Sequence, residues 1–203
     1  MKKLKEYRQV CKEVDISLGE MFDEFVRAQT LLESDKNLVR IKLLISFSLL
    51  EIFSSIYNNF YNLGHGNSRQ IIEFLEKYCF VKNNTTYVEH SYIKRLNPER
   101  IYKFRNSIIH SFALPQYENP TITVINGSED SEVIKKFEEG FANKGESVVF
   151  LSPDSLTKLF ICGFTLLHFE IFVPDDKFTE NHLNGVKEVF KEMQRRGAKI
   201  IKF

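Results

Sequence analysis

The sequence predicts a mainly α protein: an up-and-down helical bundle with a small strand-bearing insertion before its penultimate long helix. Three observations carry this expectation. Apolar residues recur with a 3.6-residue period along the opening segment, helix-start signals stand at Asn97-Pro98-Glu99 and Ser152-Pro153-Asp154, and only residues 121–125 and 147–151 read as short β-branched strands. At 203 residues the chain suits one domain, 1–203, with a full hydrophobic core and no need of a disulfide or metal staple. Residues 116–151 form the α/β insertion within it.

Each element has its own local reason. Leu4, Tyr7, Val10, Cys11, Val14, Leu18, Met21, Phe22, Phe25 and Val26 make one amphipathic helix over about residues 2–33, or two helices broken near Gly19. Asp35 can cap a second helix over about 36–61. Its centre, with Ile41, Leu43, Leu44, Ile45, Phe47, Leu49, Leu50, Ile52 and Phe53, is apolar around most of its circumference, which predicts the central buried helix. Residues 63–67 read as a turn, and Ser68 as the cap of a shorter helix to about residue 80. After a polar connection, Asn97 as N-cap with Pro98 at the first helical position starts a helix that ends by Leu114, because Pro115 disfavours helix at the residue before it. A helical pattern over 131–143 separates the two strands, so they pair across an inserted helix and not through a tight hairpin. A long apolar helix follows from Ser152 to about residue 172, and an amphipathic one closes the chain over about 179–196.

Composition bounds the function classes. A formal charge of +1 supplies no bulk attraction to nucleic acid, so such binding needs a local patch. Cys11, Cys79 and Cys162 form no CxxC pair, which argues against a zinc ribbon or a disulfide framework and for a reduced, cytoplasmic protein. Charges at Arg8, Lys12, Glu13 and Asp15 fall where an export signal needs its apolar stretch. Glu51, Lys158, His168 and Glu170 interrupt the two most apolar stretches, so no membrane span is expected. His65 lies between two glycines and reads as an exposed turn residue. His90, His168 and His182 lack metal-ligand spacing, and no GxGxxG, Walker or GxSxG motif is present, so neither metal nor cofactor is expected.

The stretch that speaks of chemistry is Arg105-Asn106-Ser107-Ile108-Ile109-His110. Arg-x4-His alone is expected by chance at roughly 0.2 matches in such a chain, and requiring asparagine after the arginine lowers this to roughly 0.02. With Ile101 as zero on the helical wheel, Phe104, Ile108 and Phe112 lie within about 60°, while Asn106 and His110 fall near 140° and 180°. Arg105, about 40° round, is expected to reach outward from the edge of the apolar stripe. An arginine can neutralise a phosphate through two parallel hydrogen bonds, a histidine can move protons near neutral pH, and an asparagine can hold either in place. The competing reading is a solvated helix face with Arg105 paired to a nearby acid. Lys94, Arg95, Arg100 and Lys103 crowd just before the motif and form either a phosphate-tracking surface or a solvated face. Glu51 could orient Arg105 or serve as a structural partner for a base.

On these residues the chain resembles the HEPN superfamily, small helical domains whose hallmark is Arg-x4–6-His, often with asparagine after the arginine, on a late helix of a four- or five-helix bundle. The resemblance implies a metal-independent endoribonuclease with Arg105, Asn106 and His110 as catalytic residues, and Glu51 resembles the acid often found on the central helix. It implies attack of a ribose 2′-OH on the adjacent phosphorus, leaving 2′,3′-cyclic phosphate and 5′-hydroxyl ends. It also implies a homodimer that pairs two motif helices, for which Tyr102 and Ile109 supply an apolar flank, and a toxin or phage-defence role with an antitoxin or regulatory protein as partner. Two features depart from the family pattern. Phe112 stands where a subgroup controlled by tyrosine adenylylation carries tyrosine, and the insertion lies outside the minimal bundle. The alternative is a catalytically inactive HEPN-like module that binds nucleotides, RNA or a protein.

Overall fold

The computed structural model describes residues 2–33, 38–81, 96–111, 121–125, 132–145 and 148–200, and over these the chain is mainly helical. The opening periodicity produces one unbroken helix, α1 (Lys2–Glu33). Gly19 does not divide it: no neighbour crowds that position, and the loss of about 1 kcal/mol for glycine in a helix interior is too small to break a helix held by its apolar face. The second helix, α2 (Val39–Phe60), begins after Leu38, which makes no side-chain capping bond; Asp35, the expected cap, lies outside the described residues.

α2 is the centre of the molecule, as its apolar circumference requires. Leu43, Phe47, Leu50 and Phe53 are fully buried. α3 (Asn67–Phe74) begins two residues earlier than the serine predicts, so Ser68 lies inside the helix and Gly66 is the N-cap, without a side-chain cap. α3 runs on into a π turn, Leu75–Cys79. A Cβ on Gly163 would overlap Cys79 Sγ, so the glycine lets the neighbouring helix press against this turn. α4 (Pro98–Ser111) starts as its sequence dictates, with Asn97 Oδ1 accepting the Arg100 N–H at 2.9 Å.

The two short strands, β1 (Thr121–Val124) and β2 (Val148–Leu151), pair in parallel, Thr121 opposite Val148 and Val124 opposite Leu151. A parallel pair needs a crossover, and α5 (Glu132–Ala142) lies in that connection and packs on β2. Ile122, Val149 and Leu151 join the same buried cluster as the helices, which ties the insertion to the bundle. Ser152 Oγ then accepts the Ser155 N–H at 3.1 Å and caps α6 (Pro153–Ile171), and α7 (Glu180–Ile200) follows after a short 3₁₀ turn.

α1, α3, α4, α6 and α7 all pack on α2. Phe53 stacks on Phe164 of α6 at 4.2 Å between centroids, and Phe47 meets Phe104 of α4 edge-on at 5.5 Å. Tyr7 of α1 donates to the Ile171 carbonyl at 2.8 Å and accepts the Val173 N–H at 2.9 Å, so one hydroxyl satisfies the frayed end of α6. No described helix is long and apolar enough to cross a membrane.

Candidate functional site

The core stripe of α4 faces inward as its spacing requires, with Ile101, Phe104 and Ile108 buried. His110, on the opposite side, is exposed, and Asn106 is half-buried between them. Arg105 corrects the expectation that it reaches outward: its side chain is only 6% exposed and turns into the contact between α4 and α2. There it forms an ion pair through Nη2 with Glu51 of α2, and its Nη1 donates to Asn106 Oδ1 at 2.7 Å. The reason is desolvation. At about 40° from the stripe the arginine stem lies beside Phe104, and a guanidinium drawn that far from water needs an opposite charge.

The pairing is incomplete. Among the described residues Arg105 Nε is buried without a hydrogen-bond partner, and Glu51 Oε1 meets the guanidinium as an ion pair without an aligned hydrogen bond. Burial pulls the Arg105 pKa below its ordinary value, yet an arginine remains charged at neutral pH. Glu51 keeps 30% of its side chain exposed, so the pair meets solvent at the carboxylate and hardly at the arginine. Three of the four sequence-derived site residues, Glu51, Arg105 and Asn106, thus meet in one place. His110 stands apart, about 7 Å further along the helix axis, and among the described residues it makes no hydrogen bond or ion pair. Its imidazole is free to meet a ligand or a second chain.

The basic patch is partly placed. Lys103 is exposed and Arg100 half-buried on α4, whereas Lys94 and Arg95 lie outside the described residues, as do His90 and Phe112. Tyr102 and Ile109, expected at a dimer interface, pack in part against the core of their own chain. Among the described residues no group of three His, Cys, Asp or Glu side chains is placed to hold a metal ion.

A second polar cluster escaped the sequence reading. Glu170, near the end of α6, accepts hydrogen bonds from Tyr61 and from Tyr78, the latter at 2.9 Å, while Lys77 Nζ lies 3.5 Å from the same oxygen and 4.0 Å from the Tyr61 ring centroid. Burial works to raise the Glu170 pKa, but the two hydroxyls and the lysine outweigh it and hold the carboxyl below the usual range. Burial and the Tyr61 hydroxyl push Tyr78 far upward, and burial with the Glu73 carboxylate beside it pushes Tyr57 up to about 12. His65 is not an exposed turn residue: its side chain is 17% exposed and Nε2 lies 3.1 Å from Glu73, which also accepts from Arg69 Nε at 2.8 Å. The available signal was tyrosine at i and i+4 (Tyr57, Tyr61) on a helix with an acid isolated in another apolar helix. Only the packing of α2, the π turn and α6 brings them together.

In comparisons with known proteins, no family model, no curated protein and no solved structure matches the chain.

Proposed function

We propose that this chain is a HEPN-like, metal-independent endoribonuclease whose active residues are Arg105, Asn106 and His110. One observation carries the reading: a motif arginine, charged and held by Glu51 and Asn106, shares a helix with a solvent-facing histidine that makes no hydrogen bond or ion pair among the described residues. The guanidinium has five N–H donors, of which Asn106 takes one while Glu51 pairs with the charge at Nη2, so donors remain for the nonbridging oxygens of a phosphate. His110 takes the 2′-OH proton or returns one to the leaving 5′-oxygen, a role worth roughly 10²–10⁴ in rate. One histidine does not serve both oxygens at once. The proposed homodimer supplies the second from the partner's motif helix, with the exposed parts of Tyr102 and Ile109 in the contact. Glu51 acts as a positioning residue, and Arg100 and Lys103, with Lys94 and Arg95, track the RNA backbone. A toxin or phage-defence role, held in check by an antitoxin or regulatory protein, is the biological context that the resemblance suggests.

A specific observation favours a second reading, a HEPN-like module that binds nucleotides, RNA or a protein without cutting: the Arg105 side chain is 6% exposed and already paired. The two readings part in one experiment. Wild-type and His110→Ala proteins are incubated with total RNA and a labelled oligonucleotide in EDTA, and product ends are analysed. Cleavage by wild type to 2′,3′-cyclic phosphates, absent in the variant, is the expected result; RNA binding by both without turnover selects the module.

A further inference from the structure

A cleft of about 580 Å³ lies away from the motif helix, between the C-terminal end of α2 and the first turns of α7. Its size is that of a small-molecule site. It is built by a close approach: a Cβ on Gly185 would fall on the carbonyl oxygen and ring of Phe60, so only glycine lets α7 sit directly on the end of α2. Phe60 is half-buried, lines the cleft and has one edge of its ring against Gly185. Around it stand four amides, Asn59 and Asn62 from the end of α2 and Asn181 and Asn184 from α7.

These amides differ from the structural asparagine beside them. Asn58 Oδ1 accepts the His65 N–H at 3.0 Å and pins the turn after α2. Asn59 spends its amide nitrogen on the Ser55 carbonyl at 2.8 Å and keeps its oxygen. The side chains of Asn62, Asn181 and Asn184 make no hydrogen bond among the described residues, and all three residues are exposed. Asn62 also holds a left-handed backbone, φ 51°, a conformation asparagine tolerates better than most residues. His182 adds a donor of fixed sense. Its Nδ1 accepts the Thr179 N–H at 3.1 Å, which leaves the hydrogen on Nε2.

Among the described residues no lysine or arginine lines the cleft, and the Glu188 carboxylate at its edge accepts from Lys191 Nζ at 2.5 Å. A phosphate is therefore a poor occupant. Side-chain amides present a donor and an acceptor together, the pattern that reads the adjacent acceptor and donor of an adenine edge, and the half-buried Phe60 ring beside them supplies an apolar contact. We infer that this cleft binds an unpaired nucleobase, adenine in particular. The base could belong to a free nucleoside or to a single RNA strand. The inference does not rest on catalysis, since a chain that binds bases and cuts nothing would satisfy it.

The test uses the full chain carrying His110→Ala, so that RNA survives, titrated at 150 mM salt with adenosine, with a ten-nucleotide oligoadenylate and with an RNA duplex. The same titrations are run on that chain with Asn62→Gly and Asn184→Ala added; glycine keeps the left-handed backbone, and both positions are exposed. The expected result is binding of adenosine, of the oligonucleotide or of both, weakened about tenfold or more by the added pair, with no competition from duplex. Adenosine binding alone assigns a free nucleoside, and binding of the oligonucleotide assigns the strand. Binding of neither, equal competition by duplex, or unchanged affinity in the added pair would overturn the inference. Thermal melts confirm that the variants fold, and Asn181→Ala repeats the test if the first pair does not.

Discussion

Glu51 and Glu170 are both carboxylates on largely apolar helices, and the structure treats them in opposite ways. Glu170 sits near the end of α6 with two tyrosine hydroxyls and a lysine on one oxygen, a complete set of partners. Glu51 sits in the middle of α2 facing one buried arginine, and that contact leaves Arg105 Nε without a partner among the described residues. A satisfied cluster fixes the joint between α2, the π turn and α6. An incompletely satisfied pair retains bonding capacity, which a stability element has no need of and a phosphate site requires. Under the proposed function, the difference separates a structural acid from one poised at a site.

The largest expected effect lies at the motif. His110→Ala lowers the RNA cleavage rate by at least about a hundredfold while leaving the melting temperature unchanged, because the side chain is exposed and has no partner among the described residues; rates from a labelled oligonucleotide and a thermal melt check the two halves. Next comes Glu51→Ala, which leaves the buried Arg105 charge without its counter-ion. Breaking a fully buried pair costs about 3–5 kcal/mol, and the partial exposure of Glu51 reduces this to about 2–3 kcal/mol, read as a shift of the urea midpoint. Removing Glu170 costs less: its half-exposed carboxylate makes Glu170→Gln worth about 1 kcal/mol in the same assay, with cleavage unaffected.

The smallest effect is the pH dependence of that second cluster. The folded Glu170 pKa is lower than its ordinary value of 4.5, so the unfolded chain binds the proton more tightly. Its contribution to stability is fully present above pH 4.5 and is lost as the pH falls through the lower folded value. Urea midpoints measured from pH 6 downward should therefore fall more steeply in wild type than in Glu170→Gln. Parallel curves would remove Glu170 from the account of the joint.

Much of the architecture was legible because its causes are local. Asn97-Pro98 and Ser152-Pro153 specify their helix starts within four residues, and the crossover between β1 and β2 follows from the helix between them. The start of α3 was misplaced by two residues because a serine is a good cap wherever it stands, while the cap position fell to Gly66. The direction of Arg105 was hidden for a different reason. The helical wheel places its Cα at the edge of the stripe, but which way a long cation turns depends on Glu51, carried by another helix. The Glu170 cluster and the amide cleft depend in the same way on packing, through Gly163 and Gly185, whose missing side chains let α6 and α7 approach.

The most direct test of the central claim is the cleavage rate of Arg105→Lys, measured beside its urea stability. Lysine keeps the charge that Glu51 holds but lacks the planar fork that grips two phosphate oxygens. The account predicts a folded protein, destabilised less than Arg105→Ala, that cleaves at least about a hundredfold more slowly than wild type. A folded Arg105→Lys that cleaves as fast as wild type would reduce Arg105 to a structural counter-ion and contradict the account.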